Sequence, residues 1–306
     1  MKQLFTIILF VLFFLVSFAQ QDAQFSHNMF NQMSVNPGYA GSSGDIRAFA
    51  ISRQQWMGIP GNPTSNTFTL DASLTLFGKD HGLALSIIDD RLGVEQNFNA
   101  RLAYAFRKQI SIGELGLGID FGIFNKQMNR SELTSADDEV FGDEQGKMVL
   151  DLSIGAFYHT DELYIGVSAS HLNGPEVKYE GEGMNPYLKR HFFFGAGYNL
   201  QLPFPLFEVQ PSIFCKSDCA SVQVDVNTTV LYNKKIWGGV SYRVGDAFVP
   251  IFGIELQNGI KIGMAYDITT SKLRKESNGT FEFMLSYRFD LSIIREPERY
   301  RSVRFL

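Results

Sequence analysis

Two cysteines in 306 residues are too few for a disulfide-built fold. The five histidines, His27, His81, His159, His171 and His191, are scattered. None stands at metal-ligand spacing from a second ligand, and no Gly-x-Ser-x-Gly or His-Glu-x-x-His motif occurs. No catalytic set, metal or cofactor is therefore expected. Positive charge is not in excess: 27 Lys and Arg against 32 Asp and Glu leave a net charge of −5, which argues against a nucleic-acid partner. Only one long apolar run exists, over residues 4–16, and mean hydropathy is −0.05. That excludes a helical membrane protein.

The one run has its own reading. Met1 and Lys2 open the chain, and Ser17-Phe18-Ala19 closes the apolar stretch with small residues. This predicts a secretory signal peptide over 1–19, cleaved after Ala19. No cysteine follows, so it is not a lipoprotein signal.

What the chain does have is aromatic residues, 28 Phe and 12 Tyr, and alternation. Near the C-terminus Phe281, Phe283, Leu285, Tyr287 and Phe289 alternate with Glu282, Met284, Ser286 and Arg288. Successive strand side chains point to opposite faces, so such a segment has one apolar and one wet face. About fourteen segments of this kind are expected: 46–56, 66–76, 81–89, 96–106, 113–125, 149–159, 162–171, 188–200, 206–215, 221–232, 235–244, 248–256, 260–267 and 280–289. In the first, Phe49 and Ile51 are out of phase with Ala48 and Ala50, which makes it the least regular.

The segments predict an all-β chain folded as a single transmembrane antiparallel β-barrel over 46–290. Apolar side chains would face lipid, and charges of both signs (Asp71, Arg101, Asp225, Arg243, Lys261, Asp267, Glu282, Arg288) would face the lumen. Both termini would be periplasmic, with the connections sorted into short periplasmic turns and longer external loops. Residues 20–45 would be a periplasmic arm or a plug, and 291–306 a C-terminal tail.

Three local features stand out. Asp137, Asp138, Glu139, Asp143 and Glu144 crowd the longest external loop but lack EF-hand spacing, so they read as a solvated acidic loop. Cys215 and Cys219 flank three residues at an expected external hairpin, where export and close approach predict a disulfide. Finally, Asn36-Pro37-Gly38-Tyr39-Ala40-Gly41 is a turn-rich knot, followed by Arg53-Gln54-Gln55-Trp56. Pro37 and Gly38 force a turn, Tyr39 and Trp56 are amphipathic aromatics, and Arg53 offers a rigid fork of donors. Residues Asn36, Pro37, Tyr39, Ala40, Gly41, Arg53, Gln55 and Trp56 are the expected partner or plug motif. The sequence leaves open whether they fix the arm inside the barrel or present it to a partner.

The same residues carry a resemblance. Gln24-Phe25-Ser26, Asn36-Pro37-x-Tyr39-Ala40-Gly41, Arg53-x-Gln55-Trp56 with Gly58 and Pro63-Thr64, His81-Gly82-Leu83, Ser241-Tyr242-Arg243 with Asp246-Ala247, Gly263-x-x-Tyr266-Asp267 and the closing strand from Glu282 to Tyr287 look like the PorP/SprF family. They do so in matching order from residue 20 onward. The resemblance implies a non-enzymatic outer-membrane barrel of the fatty-acid-transporter type in a Gram-negative cell. As a type IX secretion component, it would support export or surface attachment of specific proteins and, in some members, gliding motility. The implied partners are a periplasmic peptidoglycan-binding lipoprotein, a secreted surface protein and the lipid bilayer. The chain departs from the family at the Cys215–Cys219 hairpin and at Thr280-Phe281, where a histidine commonly precedes the glutamate. The competing reading is a diffusion channel for small solutes.

Overall fold

The computed structural model describes residues 22–128, 144–177, 187–204 and 206–289. The expected signal peptide, the C-terminal tail and acidic-loop residues 137–143 lie outside the described residues. Sixteen strands are described: β1 Ile46–Gln54, β2 Thr64–Leu76, β3 Lys79–Leu92, β4 Glu95–Ile110, β5 Gly113–Met128, β6 Glu144–Gln145, β7 Val149–His159, β8 Leu163–Ser170, β9 His191–Tyr198, β10 Leu200–Gln201, β11 Phe207–Ser217, β12 Val222–Tyr232, β13 Ile236–Arg243, β14 Ala247–Glu255, β15 Ile260–Thr269 and β16 Thr280–Phe289. The two-residue β6 and β10 extend the edges of β5 and β11. The other fourteen each overlap one expected segment.

All pairings are antiparallel, and among the fourteen long strands each joins chain neighbours except the closing pair β1–β16. The sheet closes where β1 meets β16, from Ile46 opposite Phe289 to Gln54 opposite Phe281, and β9 meets β11 directly. The result is a closed fourteen-strand barrel with no free edge, the one sheet form whose backbone groups are all paired without water. Among the described residues no helix is long and apolar enough to cross a membrane.

Alternation decides which face each residue takes. Phe68, Leu102, Phe121, Leu150, Val167, Phe252 and Leu285 are exposed on the outer face. Asp71, Arg101, Asp225, Arg243, Asp267 and Glu282 are buried on the inner face. Arg288 faces the same way but lies at the rim and is exposed, 3.7 Å from Glu255. Several inward charges are cross-strand neighbours of opposite sign: Arg47 and Asp71, Arg53 and Glu282, Asp225 and Arg243.

The irregular first strand is explained by its inner face. Phe49 and Ile51 point inward, each 2% exposed, and join Phe25, Trp237, Val249, Ile251 and Met284 in an apolar cluster inside the barrel. Their phase follows a core that most barrels of this width would leave wet.

One end of the barrel carries the short connections 77–78, 111–112, 160–162, 233–235 and 256–259. The other carries the long 55–63, 171–190 and 270–279 together with the short 93–94, 218–221 and 244–246. β3 and β4 run longer than expected, so their loop shrinks to 93–94.

The expected disulfide is not formed: Cys215 and Cys219 are both free. β11 continues through Ser217, so Cys215 pairs with Val224 across the hairpin while Cys219 sits in the turn beyond it at φ 66°. The two residues are therefore not opposite one another.

Candidate functional site

The site is the lumen and the segment lying in it. Residues 22–45 precede β1 and contact the inner faces of strands all round the wall. Two single-turn 3-10 helices, Gln32–Ser34 and Pro37–Tyr39, give this segment its only regular structure. A mostly polar chain must satisfy its backbone somewhere, and here the wall supplies the partners.

Toward the long-loop end, the segment is held by a buried ion cluster. Arg53 Nη2 lies 2.7 Å from Asp267 Oδ2, and its Nη1 lies 3.1 Å from Glu282 Oε2. Arg243 Nη1 lies 2.7 Å from the same Asp267 oxygen, and its Nε lies 3.4 Å from Asp225 Oδ1. Two guanidiniums thus meet three carboxylates. The remaining acceptor capacity is filled by the segment itself. The Ser26 and His27 backbone N–H groups donate to Glu282 at 2.7 and 2.8 Å. Ser26 Oγ donates to Asp267 at 2.6 Å and accepts from Arg53 at 2.8 Å. His27 Nδ1 stands 2.6 Å from Glu282 Oε1. Asn28 donates to Asp225 at 3.1 Å. Buried charges persist when paired and fully hydrogen-bonded, and removing the segment would strip five contacts from the carboxylates of this cluster.

Toward the short-turn end, the Asn36–Gly41 knot is seated on glycines. The Asn36 side chain accepts from Gly38 N–H, which forms the turn, and donates to the Ala156 carbonyl at 3.0 Å. A Cβ on Gly38 would lie 2.9 Å from the carbonyl oxygens of Gly116 and Gly155. Side chains on the wall glycines Gly82, Gly116 and Gly118 would overlap Ala40, Gly38 and Pro37 respectively. Gly41 turns the chain toward β1 at φ 72°. Arg107 Nη1 donates to the Ala40 carbonyl at 2.9 Å. Tyr39 is half-buried against the Phe157 ring and beneath the Arg47 guanidinium, 4.9 Å from its ring centre.

The expected motif therefore divides. Asn36, Pro37, Tyr39, Ala40 and Gly41 lie at the short-turn end. Arg53 is inside the ion cluster near the other end. Gln55 and Trp56 lie beyond β1, where the Gln55 N–H donates to the Pro63 carbonyl and the Trp56 N–H to Thr280 Oγ1. Tyr39 and Trp56 do not form one surface.

Sequence spacing missed a third cluster. His171 and His191, read as isolated, come together with Asp22 (ring centres of the two histidines 5.9 Å apart). His171 Nε2 is 3.0 Å from Asp22 Oδ1, and its Nδ1 is 2.9 Å from Asp151 Oδ1. Burial works against a charged ring, but Asp22 and Asp151 outweigh it and push His171 up to about 10. Burial likewise opposes ionisation of Asp22, yet the two histidines hold its carboxyl well below the usual range. Other missed residues carry a faint signal. Gly116 and Gly118, two apart on one face of β5, mark a wall that another backbone approaches closely.

A family model described as type IX secretion system membrane protein PorP/SprF matches residues 17–287. The chain belongs to the PorP/SprF family. It is a membrane barrel of the type IX secretion system, and family and fold together point to the outer membrane. Several of the residues that carry the PorP/SprF resemblance (Ser26, Arg53, Arg243, Asp267 and Glu282, with the Asn36–Gly41 knot) take part in fastening the segment to the wall. No curated protein matches the sequence. Among solved structures, the chain is similar to a TodX deltaS2S3 mutant monoaromatic hydrocarbon channel, at 10% identity and TM-score 0.48, covering 87% of this chain and 94% of that one. It is also similar to the Ralstonia pickettii toluene transporter TbuX, at 10% identity and TM-score 0.45, covering 83% and 92%. A third is the Acinetobacter baumannii outer membrane protein Omp33, at 8% identity and TM-score 0.46, covering 80% and 98%.

Proposed function

We propose that this PorP/SprF protein is a plugged, non-enzymatic barrel, delivered to the outer membrane after cleavage of its signal peptide, that supports export or surface attachment of a particular secreted protein. It acts by docking partners, not by passing solutes. The observation that carries this is the fastening of residues 22–45 at two separate places in the lumen, by buried charges and by a glycine-lined seat. Held at both places, the segment lies across the path a solute would take. In the outer membrane the short-turn end faces the periplasm. The knot, Tyr39 and the rim charges Glu255 and Arg288 then lie where the implied peptidoglycan-binding lipoprotein would meet the barrel.

The test is deletion of the gene and restoration with the full chain. The proposal expects one or a few surface proteins to accumulate in the periplasm without the barrel, with uptake of small solutes unchanged. Normal export together with reduced solute permeability would support the channel reading instead.

A further inference from the structure

We infer that Asp22, His171 and His191 form a binding site for a first-row transition metal dication of the zinc type, which clips the start of the N-terminal segment to the end of β8 and the start of β9. This goes beyond the secretion role and does not depend on it.

A ring nitrogen of each histidine and a carboxylate oxygen of Asp22 all lie within 4.8 Å of one another. The separation of Asp22 from His171 suits an ion between them: Asp22 Oδ1 is 3.0 Å from His171 Nε2. Two donors each about 2.1 Å from a tetrahedral ion stand about 3.4 Å apart. Imidazole with carboxylate favours zinc and its neighbours over calcium or magnesium, which prefer oxygen alone.

The surroundings are those of a built site. His171 presents Nδ1 to Asp151, whose other oxygen accepts from Asn99 at 3.3 Å. A metal-binding histidine is commonly oriented in this way, through its second nitrogen and a carboxylate. His191 Nδ1 stands 3.0 Å from the Lys189 carbonyl. His191 is 2% exposed, and its Nε2 is buried with no hydrogen-bond partner among the described residues. With Nδ1–H donating to that carbonyl, a neutral ring keeps its lone pair on Nε2, and no described residue donates to it. Asp22 is held from the other side, where the Lys216 ammonium donates to its carbonyl at 3.0 Å. Asp22, His171 and His191 line a cavity of ≈ 60 Å³, enough for an ion and a water. Asp22 and Asp151 bring two negative charges to the site, against the one positive charge of Lys216.

The test uses the untagged mature chain, folded in detergent and freed of metal with a chelator. It is titrated with Co²⁺, then Zn²⁺. We expect one equivalent of Co²⁺ with visible absorption bands of a low-coordinate site, displaced by Zn²⁺. We also expect a Zn²⁺-dependent rise in the temperature at which the folded, faster-migrating band is lost on gels. His191→Ala and Asp22→Asn should each abolish both signals. Asp151→Asn should weaken binding about 10–100-fold. Heat-modifiable migration at low temperature confirms that each variant is folded, and Asp22→Asn, which lies outside the strands, serves if a histidine variant is not. Absence of a Co²⁺ spectrum in the folded wild type, or undiminished binding by Asp22→Asn, would overturn the assignment and leave protons as what balances the cluster.

Discussion

At the scale of single residues, Arg53 is where the account is most exposed. Its guanidinium is 1% exposed and serves Asp267 and Glu282 together. Substitution with alanine leaves both carboxylates buried with half their compensation gone. Breaking a buried pair from one side costs about 3–5 kcal/mol. Arg91 is the contrasting case: it sits 3.2 Å from Asp89 but is 60% exposed. An exposed pair contributes about 0–1 kcal/mol. Chemical denaturation of detergent-folded barrels should therefore show a large midpoint loss for Arg53→Ala and almost none for Arg91→Ala. Equal effects would mean that the lumen cluster is as solvated as the rim. Residue by residue, part of this cluster was legible. Alternation put Asp225, Arg243, Asp267 and Glu282 on the inner face, and the resemblance picked out Arg53 and Ser26. That they share one site was not legible, because Ser26 and Glu282 are 256 positions apart. Nothing local to either records that distance.

Among the elements, the strands were readable because each carries its own record in a two-residue period. All fourteen long strands follow from it, and β1 shows the limit of the rule. Its apolar side chains face inward because Phe25 and Trp237 await them there, a fact belonging to other elements. The N-terminal segment has no period at all, so its resting place could be found only by building the wall around it. The His171–His191 pair was hidden for a similar reason: β8 and β9 are neighbours in the sheet, but a long loop separates the two rings in sequence. Two predictions belong here. Arginine in place of Leu285, which faces outward, should destabilise the barrel by about 2–4 kcal/mol, more than arginine in place of the inward-facing Ser286. Unfolding in detergent or lipid measures the difference, and the reverse order would mean that the faces of β16 are misassigned. Gly118→Val should leave the barrel heat-modifiable yet dislodge the knot, since the new side chain occupies the place of Pro37. A cysteine at Tyr39 then labels faster with a water-soluble maleimide in that variant than in its parent. No change in labelling would show that the seat is looser than its geometry.

For the whole molecule, the wall and the segment explain one another. The inward charges need donors that the segment brings, and the segment needs backbone partners that the wall provides. Their joint effect, on the function proposed above, is a plugged barrel. The direct measurement is single-molecule conductance of the purified full-length mature barrel in planar bilayers, beside a variant lacking residues 22–45. The account predicts no steady conductance from the full-length protein and a large, stable pore from the truncated one. A steady open pore in the full-length protein, with conductance unchanged by the truncation, would contradict it.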